Sequence, residues 1–173
     1  AKGLVTELIT RHQIPCDYRS GSINANHRRR YDRYSQQFVE LLNERYDYHE
    51  IRYVPPDEMQ TLVGCKDYSG GALDMGAGHL HPLNYALGIA RAALTAGASL
   101  FERSEVTRVD LGDPVRLHTT QGCLTARYVL YACNGYIGSL KKSIGQYVMP
   151  INNYIIATEP LDDGTVRRLI ANG

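Results

Sequence analysis

The chain has 173 residues, 43% of them hydrophobic and 21% charged, with a formal net charge of +1. That profile suits one folded domain, or one and a half small ones, and excludes a disordered tail. Near-neutral charge gives no reason to expect nucleic acid or an anionic membrane surface as the main partner, and no apolar run approaches the roughly 20 residues a spanning helix needs.

Residues 2–13 are predicted to form a helix, with Leu4, Val5, Leu8 and Ile9 on one stripe. This opening has neither the basic start nor the long apolar stretch of a secretory signal. It begins in helical pattern without an initiating Met, as expected of a piece of a longer protein. Residues 16–26 (CDYRSGSINAN) alternate loosely as a strand. A long helix follows over 28–46, with Tyr31, Tyr34, Phe38, Leu41, Leu42 and Tyr46 at helical spacing and facing the core.

Ile51 to Val54 reads as a short strand, and Pro55-Pro56 open a brief helix carrying Met59, Leu62 and Val63. Tyr68 to Met75 reads as a strand broken by Gly70 and Gly71. Pro82 to Ala96 reads as a helix that Gly97 ends. Strands are then expected at 99–102, 105–111, 115–120 and 125–132. The short turns at Gly112-Asp113 and Gln121-Gly122 make the last three an antiparallel meander. A long strand over 148–158 (VMPINNYIIAT) and a polar tail complete the chain. Alternating helices and strands followed by a meander predict an α/β or α+β fold.

Few residues stand out for chemistry. Gly76-Ala77-Gly78, read as a turn between strand and helix, resembles the front of GxGxxG, whose glycines let a pyrophosphate approach a helix N-terminus. His81 occupies the third glycine position, where a side chain obstructs close packing, so a plain glycine turn is the better reading. His79 and His81 share a face of an extended segment and could hold a metal, but no third ligand is evident. His81, just before Pro82, instead suits a helix cap, and no metal is expected.

In the run from His27 to Tyr34, tyrosines are expected in the core and Arg28, Arg29, Arg30 and Arg33 in water, which argues against a nucleic-acid site. One of these arginines could also pair with a substrate carboxylate. Cys16, Cys65, Cys123 and Cys133 form no CxxC pair. They are expected to be reduced, in a cytoplasmic protein. No side chain is nominated as catalytic.

Four blocks carry a wider likeness: YRSGSINANHRRR, GALDMGAGHLHPLNYALGIARAALTAGASLFERSEVTRV, LHTTQGCLTARYVLYACNGYIG and VMPINNYIIATEPL. In their order and spacing the chain resembles the FAD-dependent D-amino acid oxidase/glycine oxidase family, and within it the gamma-glutamylputrescine oxidoreductase branch. The resemblance implies part of an FAD/NAD(P)-binding-type domain joined to the mixed antiparallel sheet of a substrate domain.

It divides the chain into a substrate-domain half with its preceding helix (1–78), a part of the FAD-binding domain (79–138) and a return to the substrate domain (139–173). The sheet would be built from 15–75 and 146–160 and lie over the flavin ring. Val106 would meet the adenine end of FAD through its backbone. Ala132, Cys133, Asn134 and Gly135 would pass close to the dinucleotide, with Cys133-Asn134 departing from the family's commoner Ala-Gly. Asn152, Asn153 and Tyr154 would face the substrate.

The family's N-terminal GxGxxG unit and its C-terminal Gly-x-Arg-Pro-type segment have no counterpart in the sequence, so the chain alone is expected neither to hold FAD tightly nor to turn over. The implied enzyme oxidises the C–N bond of an amine or amino acid, with FAD as cofactor. The alternative is a non-catalytic small-ligand or interaction domain using Asn152 and Tyr154. Pairing of two copies through a surface left open is a further expectation.

Overall fold

The structure, a computed structural model, describes residues 2–171. It divides into two units, one of residues 1–98 with 158–173 and the other of residues 99–157.

The first unit is built on a three-stranded sheet of order β1-β3-β2, from Arg19–Ala25, Ile51–Val54 and Gly71–His79. β3 lies in the centre and runs antiparallel to both neighbours. Its register aligns Ser22, Asp74 and Ile51 in one row, Ile23, Leu73 and Arg52 in the next, then Asn24, Ala72 and Tyr53, then Ala25, Gly71 and Val54. Directly paired residues share a face and successive rows alternate, so Asp74, Ala72, Ile51 and Tyr53 belong to one face, and Leu73, Ile23 and Val54 to the other.

Helix α1 (Lys2–Arg11) precedes β1, and α2 (Asp32–Tyr46), entered through a 3-10 turn at Arg29–Tyr31, covers the first face. Val39 of α2 is buried with Ile51 and Ala72, and Leu42, Tyr48 and Tyr53 pack around them. The aromatic stripe expected to fill this core does not. Tyr34 and Phe38 are 67% and 52% exposed, because the inward line of α2 runs through Ser35, Val39 and Leu42. Polarity misled here, since Ser35 turns inward to a part-buried hydrogen bond with Asn26. The helix ends at Asp47, whose left-handed φ of 50° lets its N–H reach the Leu42 carbonyl.

On the other face, α3 (Pro56–Leu62) lays Met59 over Val54 and Gly71. Met59 and Val54 are fully buried. Helix α4 (Pro82–Thr95) starts on Pro82 and stops at Gly97, whose φ of +89° favours glycine. Its Gly88 lies against Ile14, where even a methyl group would come within 2.3 Å of the isoleucine side chain. After α5 (Lys142–Gly145) of the second unit, the polar tail contains a helix, α6 (Asp163–Leu169), followed by a bridge from Ile170 to Val63.

Asp162 caps α6 by accepting from the Thr165 N–H at 3.0 Å. Hydrogen bonds from Thr165, side chain first and then backbone, hold the Asp162 carboxyl below its ordinary 3.8. A depressed folded-state pKa gives stability that is present above the unfolded value and lost as pH falls through the folded one. Amide exchange at Thr165 should therefore accelerate only in acid below about pH 4. In Asp162→Ala it should be fast at neutral pH as well.

The second unit is a meander of β4 (Val106–Asp110), β5 (Val115–Thr119) and β6 (Cys123–Ala126), antiparallel in the order β4-β5-β6. A 3-10 turn (Asn134–Tyr136) and the short α5 (Lys142–Gly145) follow, and Val115 and Ile137 are its buried apolar residues.

Three sequence expectations fail here. Residues 99–102 form no strand, 127–132 leave the sheet after Ala126, and 148–158 join no ladder among the described residues. A strand is defined by its neighbour as much as by its own alternation, and Ile151, Tyr154, Ile155 and Ile156 find no neighbour among the described residues to bury them.

Candidate functional site

In the first unit a cleft of about 610 Å³ opens between α2 and the adjoining sheet face. Ser22, Asn24 and Asp74 line it from the sheet, and Tyr31, Tyr34 and Phe38 from the helix. Asp74 is the one Asp, Glu, Lys or Arg among its lining residues. Its Oδ1 accepts from the Gly76 N–H at 2.9 Å, the Ala77 N–H at 3.1 Å and the Tyr48 hydroxyl at 2.5 Å. The backbone contacts are those of an Asx turn, which bends β3 where its register with β1 shifts. Lys2 donates to the Tyr48 hydroxyl at 2.6 Å and lies 4.6 Å from that ring's centre. The Tyr48 hydrogen bond holds the Lys2 ammonium above its ordinary pKa.

One end of the cleft is fixed by a second polar network. Asn26, nearly buried, donates to Asp32 and to Ser35, each at 2.9 Å. Asp32 Oδ1 also accepts from Ser69 Oγ at 2.8 Å and from the Gly70 N–H at 3.1 Å. The first residue of α2 thereby ties that helix to the entry of β3. Asp32→Ala is expected to cost about 2–3 kcal/mol, because three donors lose their acceptor in a half-buried place. A lowered urea midpoint with an unchanged m-value would show it.

The opposite face carries a cleft of about 770 Å³ lined by Ile23, Leu73, Met75 and Tyr68 of the sheet side and by Val63 and Ile170. It offers apolar surface and no cluster of acid–base groups.

The residues singled out from the sequence behave differently from one another. Gly76-Ala77-Gly78 is not a turn before a helix but lies inside β3, near its end. A side chain at Gly76 would strike Tyr48 and one at Gly78 the Arg19 carbonyl, so these glycines admit protein neighbours and form no phosphate cradle. His79 pairs with Arg19 in the ladder. His81 Nδ1 accepts from the Asn84 N–H at 3.3 Å as the cap of α4, as the sequence suggested. Arg28, Arg29, Arg30 and Arg33 are exposed, also as expected.

In the second unit Val106 opens β4 opposite Thr119. Ala132 and Cys133 lead into the 3-10 turn that contains Asn134 and Gly135. Asn134 has a φ of 48°, and a side chain at Gly135 would meet nothing within 4 Å. That turn is open enough for a ligand to approach, but no charged or buried polar group is built into it. Asn152, Asn153 and Tyr154 are all exposed, Tyr154 at 90%.

Sequence reasoning passed over Asp74 and the Asn26–Asp32 pair. The spacing of Asp74 to Gly76 was the available signal for an Asx turn.

For FAD the fit is therefore incomplete. Among the described residues there is an open turn at 132–135 but no glycine cradle for a pyrophosphate, and no chemical step can be derived from these residues through a flavin.

Known proteins extend the picture. Probable oxidoreductase OrdL of Rhizobium meliloti is 35% identical over 162 residues, covering 93% of this chain and 38% of that protein. Gamma-glutamylputrescine oxidoreductase of Escherichia coli is 31% identical over 179 residues, covering 96% and 39%. The chain thus spans about two fifths of the length of these relatives.

Among solved structures, glycine oxidase from Geobacillus kaustophilus superposes with a TM-score of 0.70 at 22% identity, over 83% of this chain and 39% of that one. L-proline dehydrogenase from P. horikoshii gives 0.65 at 16% identity, over 80% and 39%. These likenesses establish a shared fold. The family model for FAD dependent oxidoreductases (DAO) matches residues 1–172, so the chain belongs to that family.

Proposed function

We propose that the chain forms part of an FAD-dependent enzyme that oxidises the C–N bond of an amine or amino acid. Flavin would accept the electrons, and water would then hydrolyse the resulting imine. What carries the reading is the family match over residues 1–172. The proposed substrate is an amine carrying a carboxylate, of the gamma-glutamylated polyamine kind, on the 31% identity to the Escherichia coli enzyme of that name.

Within this reading residues 1–78 belong to a substrate domain, 79–138 to a flavin-binding domain and 139–173 return to the first. Val106 and the turn from Ala132 through Cys133 and Asn134 to Gly135 lie on the cofactor side. Asn152, Asn153 and Tyr154 face the substrate. The exposed apolar residues from Tyr147 to Ile156 support a covered position for that segment in the complete enzyme. Pairing of two copies through it is the corresponding proposal for the chain in isolation. Among the described residues no helix is long and apolar enough to cross a membrane.

The test is anaerobic mixing of the complete enzyme with a panel of amines and amino acids, followed by flavin absorbance. Bleaching by a carboxylate-bearing amine is the expected result. An oxidised spectrum that persists with every member of the panel would remove the proposal.

A further inference from the structure

The cleft between α2 and the sheet has a lining that the oxidation of a C–N bond does not call on. From it we infer a binding site for a small organic ammonium ion, independent of the flavin reading above. Three features of the cleft combine. Its one carboxylate, Asp74, spends Oδ1 on Tyr48 and two backbone amides, while Oδ2 accepts no hydrogen bond from any described residue. Asn24 and Ser22, on the same sheet face, add neutral oxygen acceptors, and Lys2 reaches Asp74 only through the Tyr48 hydroxyl. Tyr34 and Phe38 stand one helical turn apart on the opposite wall, and neither ring is covered by an Arg or Lys of the described chain.

The neighbouring rings show what such surfaces accept. Arg30 stacks on Tyr31 at 4.9 Å, and Lys2 lies over Tyr48 at 4.6 Å while donating to its hydroxyl. Of the tyrosines that line the cleft, Tyr31 already carries a cation, while Tyr34 and Phe38 line the same cleft as Asp74 with no Arg or Lys of the described residues over their rings. A carboxylate on one side and π faces on the other select a positive charge with an apolar coat, which is an alkylammonium rather than a hydrated metal ion. A volume near 610 Å³ is ample for such a molecule.

The probe is tetramethylammonium, which has no N–H bond, with tert-butanol as the neutral control of similar shape. Binding to the complete enzyme is followed by calorimetry at low salt. Saturable binding of tetramethylammonium and none of tert-butanol is expected. Tyr34→Leu and Phe38→Leu keep apolar bulk at exposed positions and should each weaken binding about tenfold, while Tyr34→Phe should retain it. Asp74→Asn should abolish it. Because Asp74 also shapes β3, the two leucine variants decide the matter if that protein does not fold.

Absence of saturable binding, equal binding of tert-butanol, or unchanged affinity in both leucine variants would overturn the inference. Flavin reduction by substrate amines is a separate readout, so either idea can fail without the other.

Discussion

Replacing Met59 with alanine is expected to destabilise the first unit by about 2–5 kcal/mol, the range for truncating a buried methionine. Its side chain has no solvent exposure and reaches from α3 onto Val54 and Gly71, where β2 and β3 pair. Part of the loss is transfer free energy and part is the cavity left behind. The three-stranded sheet is too small to close over that cavity by shifting neighbours. Met59→Leu, which nearly conserves volume, should cost less than about 1.5 kcal/mol. Urea midpoints at constant m-value would separate the two. Equal midpoints for Met59→Ala and the unaltered chain would mean that α3 does not pack here.

Gly71→Val approaches the same contact from the other side and should cost about 3 kcal/mol or more. A Cβ at position 71 would stand 2.1 Å from the Asn24 carbonyl oxygen and 2.8 Å from Met59 Cε. The methionine end can swing away. The Asn24 carbonyl belongs to β1, held by the register that pairs Asn24 with Ala72 and Ala25 with Gly71. Backbone must therefore move, and the sheet loses its register locally. Gly122→Ala is the control, since a methyl group there meets nothing within 4 Å. It should stay within about 0.5 kcal/mol. Similar losses in both variants would mean that close packing at Gly71 is not what the substitution disrupts.

The parts of the fold that could be read from the sequence are those specified by local chemistry. Pro82 with His81 starts α4 and Gly97 stops it, and both signals act within a few residues. The short strand Ile51–Val54 was legible because two prolines close it. Tertiary pairing decided the rest. VMPINNYIIAT has the alternation of a strand, yet no ladder forms there, because no neighbour among the described residues offers its amides. The pair Gly76 and Gly78 resembled a nucleotide turn, but the Asp74 carboxylate and the Tyr48 and Arg19 contacts explain small residues there without a ligand.

The candidate cleft was less visible still. Asp74 is far in sequence from Tyr34 and Phe38, and hydrophobicity alone sends the two aromatic rings into the core. Their exposure follows from Ser35, whose hydroxyl turns inward to Asn26 and rotates the aromatic stripe toward the cleft.

The most direct test of this account is the flavin content of the isolated 173-residue chain beside that of the complete enzyme. Because Gly76 and Gly78 pack against protein instead of cradling a pyrophosphate, the chain should purify colourless after incubation with FAD, whereas the complete enzyme proposed above should carry flavin absorbance. A chain that binds FAD tightly by itself would contradict the assignment.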